Sequence, residues 1–355
     1  MALRASCHTF LGFRPALDAA VDAHFGNARV ARHGGARAQA KAVLVLTWFV
    51  ASYVGLVFFS RSWWHAAPLA ISLAVAAAAI GFVVVHDANH GALCKGRAGN
   101  RAWSFVFDAM GISSYVWRQS HNLDHHGQPN VGGRDPDIDF GMLARLAPSQ
   151  PWRPWHRFQH LYLFPLYGFA YLRWVLVEDV RRVVVGTIAN RRFPRPHGFE
   201  AFAFVAGKLF FLTWAVVLPS LFHPAWKVLW GTIGCGYLVG LALALVVSLG
   251  HSVEGISFPS APPRSVDEWC AHQVTASADF GADGGLLTWY TGALNHQVTH
   301  HLFPRVSHVH YRALAPVVEE VCARFGLRRT VHPSFLAALG SHHRFLRGLG
   351  AKADA

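Results

Sequence analysis

Four stretches of this chain are too long and too poor in charge to serve as loops. Residues 42–60, 66–85 and 228–250 contain no Asp, Glu, Lys or Arg, and residues 201–222 contain one, Lys208. Wound as helices they measure about 28–35 Å, close to the ~30 Å hydrocarbon core of a bilayer. Buried helices of a water-soluble fold are the plain alternative. Charged residues, however, make up only 14% of the chain, against roughly 25% in soluble domains, and four such runs together argue for membrane spans. The expected fold class is an all-α integral membrane protein with four transmembrane helices. Lys208, near the start of its span, is expected to reach the interface with its long side chain. Residues 1–25 lack the apolar core of a secretory signal, so none is expected ahead of the spans. Cysteines at 7, 94, 235, 270 and 322 form no CxxC pair, which points away from a disulfide framework or a zinc ribbon.

The basic residues divide unevenly around these runs. Segments 1–41, 86–200 and 251–355 carry 6, 14 and 9 Lys and Arg, while the turns 61–65 and 223–227 carry one each. By the positive-inside rule both termini and the large middle segment face the cytoplasm. The net charge of +13 then reads as topology and attraction to anionic lipid, with no nucleic-acid partner. Residues 161–177 are apolar but contain Pro165 and Arg173, and an arginine inside a span costs roughly 2.5–3.5 kcal/mol. An interfacial or re-entrant helix is expected there, and a membrane-surface helix over 103–117.

The chain holds 23 histidines, and several fall at ligand spacing. His86 and His90 follow the second span directly, four residues apart and so on one helical face. His121, His125 and His126 form HNLDHH; on an α-helix the first two share a face and His126 turns about 100° away. His296, Gln297, His300 and His301 lie in NHQVTHH, and His251 follows the fourth span. One histidine alone is more often a packed or surface residue. Clusters of this kind, all on one side of a topology derived from charge alone, are costly without a metal, because partly protonated imidazoles repel. So many imidazoles exceed one coordination sphere, which implies two ions. Zinc more often takes three or four ligands with cysteine or carboxylate support. A soluble-type di-iron carboxylate site needs Glu-x-x-His pairs, and none of the glutamates is followed by one. Imidazole suits iron, copper, nickel and zinc, and the pattern leaves iron favoured.

These residues resemble the membrane fatty acid desaturases, and the likeness runs over about residues 10–330. HDANHGA, HNLDHH followed by PNVGGRDPDID (129–139), WYTGALNHQ (289–297) and QVTHHLFPRVSHVHY (297–311) are similar to the front-end and acyl-lipid branch, whose third box begins with glutamine. The resemblance implies a mushroom-like fold: four spanning helices under a cytoplasmic helical cap that carries a histidine-rich di-iron site. It divides the chain into an N-terminal segment 1–41, a membrane desaturase domain 42–330 and a tail 331–355. It implies iron ligands at His86, His90, His121, His125, His126, His251, His300 and His301. Gln297 stands where the third box usually has its first histidine, acting directly or through water, and His296 is the weaker candidate for that role. Asp87, Asp124 and the group Asp135, Asp137 and Asp139 are expected to orient the histidines from behind. Trp117 and Arg118 are candidates for lining the acyl entrance or binding the head group, beside the plainer reading of a solvated arginine at the membrane face.

The implied activity is O2-dependent desaturation of a lipid- or carrier-bound fatty acyl chain, with O2 as co-substrate and two Fe ions. This chain has HGG at 33–35 but no HPGG haem motif, so no haem is expected in it. Electrons would come from a separate ferredoxin- or cytochrome b5-like donor with its reductase. A sister hydroxylase, acetylenase or epoxygenase would use the same boxes. A metal or haem transporter would instead place histidines near the bilayer midplane. Arg outnumbers Lys 27 to 5, a high-GC signature that favours the bacterial cytoplasmic membrane, with the active site facing the cytoplasm and lipids as neighbours.

Overall fold

The computed structural model describes residues 10–352; Cys7 lies outside the described residues. Helix α1 (Phe13–Ala28) leads into α2 (Gly35–Phe59), and a tight turn returns the chain through α3 (Trp63–His90). Two helical hairpins follow. The first joins α4 (Arg97–Ala109) to α5 (Ser114–Trp117, continued by Arg118–His125). The second joins α6 (Gln159–Tyr167) to α7 (Ala170–Arg173, continued through Trp174–Glu178 and Asp179–Val185). An antiparallel ribbon of β1 (Thr187–Ile188) and β2 (Arg191–Arg192) precedes α8 (Phe199–Ser220) and α9 (Ala225–His251). The rest comprises α10 (Val266–Thr275), β3 (Ala278–Phe280), α11 (Gly285–Tyr290), α12 (Gln297–Leu302) and α13 (Tyr311–Arg324). Last come β4 (Thr330–His332), parallel to β3, and α14 (Phe335–Gly350).

The four helices long and apolar enough to cross a membrane are α2, α3, α8 and α9. Two of them outrun the bilayer. With 28 and 27 residues, α3 and α9 reach about 42 and 40 Å, against ~30 Å of hydrocarbon. Their surplus turns carry His86, His90 and His251. The most buried of the four is α3, and the run Ala76–Ala79 is why: small side chains let α2 and α9 approach its backbone closely.

Both hairpins dip between the spans and return. The stretch 103–117 is therefore not one surface helix: it breaks at 110–113, where Tyr171 Oη donates to Met110 O (2.6 Å) and Trp214 Nε1 to Ala109 O (2.8 Å). The stretch 161–177 turns at Gly168 and is re-entrant. A Cβ at Gly240, within α9, would sit 2.3 Å from Gly168 O, so the two backbones touch. Arg173 stays partly exposed and pairs with Glu178. Backbone that leaves the helix at this depth needs protein partners. Lys208 supplies them. Its ammonium does not run to the interface but donates to Gly111 O (2.6 Å), Val175 O (2.7 Å) and Asp179 Oδ2 (3.0 Å), joining both hairpins to α8.

On α1, Phe13, Leu17, Val21 and Phe25 recur every fourth residue and are all buried against α10, α12 and α13. Beyond residue 330, α14 folds back onto the second hairpin, and His342 joins Tyr167 Oη (2.9 Å) to Ser252 O (2.5 Å). The close crossing of α7 and α9 gives a prediction. Gly240→Val should cost on the order of 1–3 kcal/mol through overpacking. Its thermal midpoint in detergent, followed by size exclusion, should fall by several degrees; an unchanged midpoint would refute the backbone contact.

Candidate functional site

Eight histidines gather where α3, α5, α9 and α12 end together. His86, His90, His121 and His300 form one group; His125, His251 and His301 form a second; His126, His300 and His301 form a third between them, and within each group the candidate ligand atoms lie within 4.8 Å of one another. Seven of the eight are at least nine-tenths buried, and His121 is nearly so.

Local winding explains how one short segment presents three imidazoles. The HNLDHH segment is π-wound, and His126 N–H donates to His121 O (2.9 Å), five residues back. In such winding the fourth and fifth residues straddle the first, so His126 does not turn away as an α-helix would require. The His121 and His125 rings stack with centroids 5.0 Å apart, and the His126 ring lies 4.8 Å from His121. A second π-wound turn, Ile80–Val85, precedes HDANH. Trp117 stacks on His121 at 4.2 Å and walls the site on one side.

The outer nitrogens of four rings are engaged, which fixes the inner ones. His125 Nδ1 meets Asp135 Oδ1 (3.0 Å) and His301 Nδ1 meets Gln273 Oε1 (2.9 Å). His251 Nδ1 meets Ala276 O (3.0 Å), and His300 Nδ1 meets Tyr311 Oη (3.1 Å). The carboxylate, amide oxygen and carbonyl can only accept, so Nδ1 of His125, His251 and His301 carries the proton, and neutral His251 and His301 keep a lone pair at Nε2; the Tyr311 hydroxyl can donate or accept. Among the described residues, six buried ring nitrogens of this cluster have no hydrogen-bond partner: His86 Nδ1, His90 Nε2, His125 Nε2, His126 Nδ1, His300 Nε2 and His301 Nε2. Buried acceptors left bare cost about 1–3 kcal/mol each, and a donor set of imidazole lone pairs is what a borderline transition metal takes. The residues present fit such an ion.

Electrostatics point the same way. Burial and mutual repulsion hold His121, His126, His300 and His301 well below the ordinary imidazole range, so these rings are neutral. His125 differs. Burial lowers it, but Asp135 and Asp137 outweigh that and raise it to about 9, so without a metal this ring keeps a second proton, which a bound ion would displace.

The two remaining candidates of the third box separate. Gln297 places Nε2 2.9 Å from His251 Nε2, inside the cluster. His296 belongs to none of the metal-competent groups; it is buried beside α12, and burial, with Arg329 and Arg312 nearby, lowers it to about 4. Asp279 secures this box by accepting from Val298 N–H (2.9 Å) and pairing with Arg329 (2.8 Å).

Two of the aspartates expected behind the histidines do other work. Asp87 accepts from Ser307 Oγ (2.7 Å), His308 N–H (3.1 Å) and His308 Nδ1 (2.8 Å), which clamps the end of α3 to the loop after α12. Asp124 forks onto Arg191 (2.6 and 3.0 Å) and ties α5 to the β-ribbon. Neither carboxylate bonds a ring of the cluster; Asp135, Gln273, Tyr311 and the Ala276 carbonyl do. Gln273 carries no motif and a carbonyl has no sequence signature. Tyr311, ten residues beyond His301, is signalled only by its place at the end of the third-box motif.

The fatty acid desaturase family matches residues 62–333. This chain is 30% identical over 341 residues to the sn-1 linoleoyl-lipid 6-desaturase of Arthrospira platensis, covering 95% of this chain and 92% of that one. It is 31% identical over 343 residues to the protein of the same description from Synechocystis sp., covering 96% of both. It is 33% identical over 315 residues to an acyl-lipid (8-3)-desaturase of Physcomitrium patens, covering 87% of this chain and 66% of that one. A family match across most of the chain, and relatives aligned nearly end to end, mean that it belongs to the fatty acid desaturase family, in the front-end and acyl-lipid branch, and is an oxidoreductase.

Proposed function

We propose that this protein removes two hydrogens from an acyl chain esterified in a membrane lipid, using O2, two iron ions and electrons from a separate redox protein. The observation that carries the reading is the convergence of buried, partnerless imidazole nitrogens in a chain whose relatives are acyl-lipid desaturases. His86, His90 and His121 would hold one ion, and His125, His251 and His301 the other, with His126 and His300 between the groups. The ions would supply the oxidising power that an unactivated C–H bond demands. The balance is one saturated –CH2–CH2– unit, one O2, two electrons and two protons, giving one double bond and two waters.

The chain's own residues position and exclude. Asp135, Gln273 and Ala276 O keep the Nδ1 protons of His125, His301 and His251 facing outward and Tyr311 steadies the His300 ring, so the ligand nitrogens need not reorganise. Trp117, against His121, and the apolar face of α3 keep bulk water from a reacting chain. Gln297 Nε2 donates to the lone pair of His251, so this amide swings aside or presents its oxygen when His251 takes a metal. The histidine end of the bundle would face the cytoplasm of a bacterial membrane, where a ferredoxin- or cytochrome b5-like donor can reach it. Expression in a desaturase-free host with lipid profiling tests the activity. A product lighter by two hydrogens supports it, and one heavier by an oxygen atom overturns it in favour of hydroxylation.

Four further outcomes are expected. The purified protein should hold about two irons per chain, and His125→Ala should lose iron and all turnover. Asp135→Asn should lower iron affinity about 10–100-fold in a chelator competition, and wild-type affinity would show that the carboxylate does not tune His125. In the third box, Gln297→Ala should cut turnover at least about tenfold while His296→Phe keeps iron and most activity, the cost of one lost polar contact at the centre. The reverse ranking would move the functional position to His296. For orientation, a membrane-impermeant thiol reagent applied outside the cell should label Arg61→Cys and leave native Cys94 untouched. Labelling of Cys94 from outside would invert the topology.

A further inference from the structure

Arg118, a candidate from sequence for the acyl entrance or the head group, belongs to a charged cluster beside the histidines. Arg101 on α4 and Arg118 on α5 both reach Glu200, with Arg101 Nη2 2.5 Å from Oε2 and Arg118 Nη2 3.4 Å from Oε1. Two guanidinium groups share this one carboxylate. Asp108, the other acid nearby, is turned to the Ser114 N–H at 3.1 Å. The cluster is not sealed: the three side chains remain 26%, 25% and 29% exposed.

Its level in the molecule is defined by sequence. Glu200 is the second residue of α8, where the apolar helix begins, and so lies at the height of lipid head groups. The rim around it is aromatic and open. Phe199 and Phe202 are 61% and 67% exposed, Phe105 packs on Phe199 at 5.6 Å, and the Arg101 guanidinium lies 4.5 Å over the Phe105 ring. The inner edge touches the metal pocket. Arg118 Nη1 donates to Asn89 Oδ1 (3.0 Å), and Asn89 stands beside His90, while His121 follows Arg118 by one turn.

We propose that Arg101 and Arg118 bind the phosphodiester of the substrate, and that the acyl lipid this enzyme takes is an anionic glycerophospholipid. The proposal rests on the acyl-lipid reading above. A planar guanidinium fork matches phosphate oxygens two at a time, and two forks converging on one carboxylate suit an oxyanion far better than a neutral sugar. Glu200 holds the pair in register and yields to the phosphate when lipid enters. An anchor this close to His90 and His121 presents carbons near the ester end of the chain to the centre and leaves the methyl end free.

Native mass spectrometry of the full-length protein in detergent tests this, with phosphatidylglycerol and monogalactosyldiacylglycerol of matched acyl chains as probes. The wild type should retain phosphatidylglycerol about tenfold better, the loss expected for one charge-assisted contact. Arg101→Gln should reduce phosphatidylglycerol to the level of the galactolipid. Glu200→Gln, which removes the competing carboxylate, should raise it. A cluster that only braces α4, α5 and α8 predicts that both variants fall together or that neither moves, and either result overturns the proposal. Equal retention of the two lipids by the wild type overturns it as well. Displacement of the lipid by sn-glycerol 3-phosphate at matched concentration would identify a soluble phosphate ligand and overturn the lipid assignment. If the wild type desaturates no lipid yet shows this selectivity and these opposite shifts, the activity reading fails and the binding site stands.

Discussion

Eight imidazoles packed against one another are tolerable only if nearly all stay neutral and their lone pairs have somewhere to point. Much of this structure answers that constraint. Hydrogen-bonding partners stand on the outer side of four rings, and three of them, able only to accept, hold the proton at Nδ1. They come from separate places: a loop aspartate, a glutamine on α10, the carbonyl that follows that helix, and a tyrosine opening α13. These elements form a collar of hydrogen-bonding groups around the histidines, with α1 packed against α10, α12 and α13.

The membrane part solves a different problem with the same economy. Two helical hairpins enter between the spans, and their turns would strand backbone carbonyls in an apolar setting. Lys208 sits between both turns and serves Gly111 O, Val175 O and Asp179 at once. A lone cation in a span reads from sequence as a side chain reaching for the surface. Here it is an internal bridge, because the chain brings the carbonyls to it.

Much of the fold was legible, and the reasons differ by element. Charge-free length gave the four spans, and the i,i+4 histidines placed the site at the span ends. The winding of HNLDHH was not legible, since nothing in those six residues distinguishes an i→i+5 ladder from an α-helix. Its consequence, His126 facing inward, therefore needed coordinates. Asp87 and Asp124 misled because adjacency along a helix says nothing of which way a carboxylate turns; both serve loops that the sequence places far away. Asp135 was among the aspartates expected from sequence and does meet His125, while the other orienting groups lie farther off, as with Gln273 for His301 and Tyr311 for His300, or act through a backbone carbonyl. The helix α14 has an amphipathic face, but its partner, the second hairpin, lies some 180 residues upstream, out of reach of any local pattern.

The parallel pairing of β3 with β4 sets a timetable for the living chain. Asp279 on β3 holds the start of α12, and the arginine that steadies it, Arg329, arrives with β4. The ligands themselves are spread from His86 to His301. During synthesis every span is therefore already threaded before the last two histidines are fixed in place. The bundle must persist on its own packing until then, and the histidine cluster closes late in biogenesis rather than acting as its nucleus.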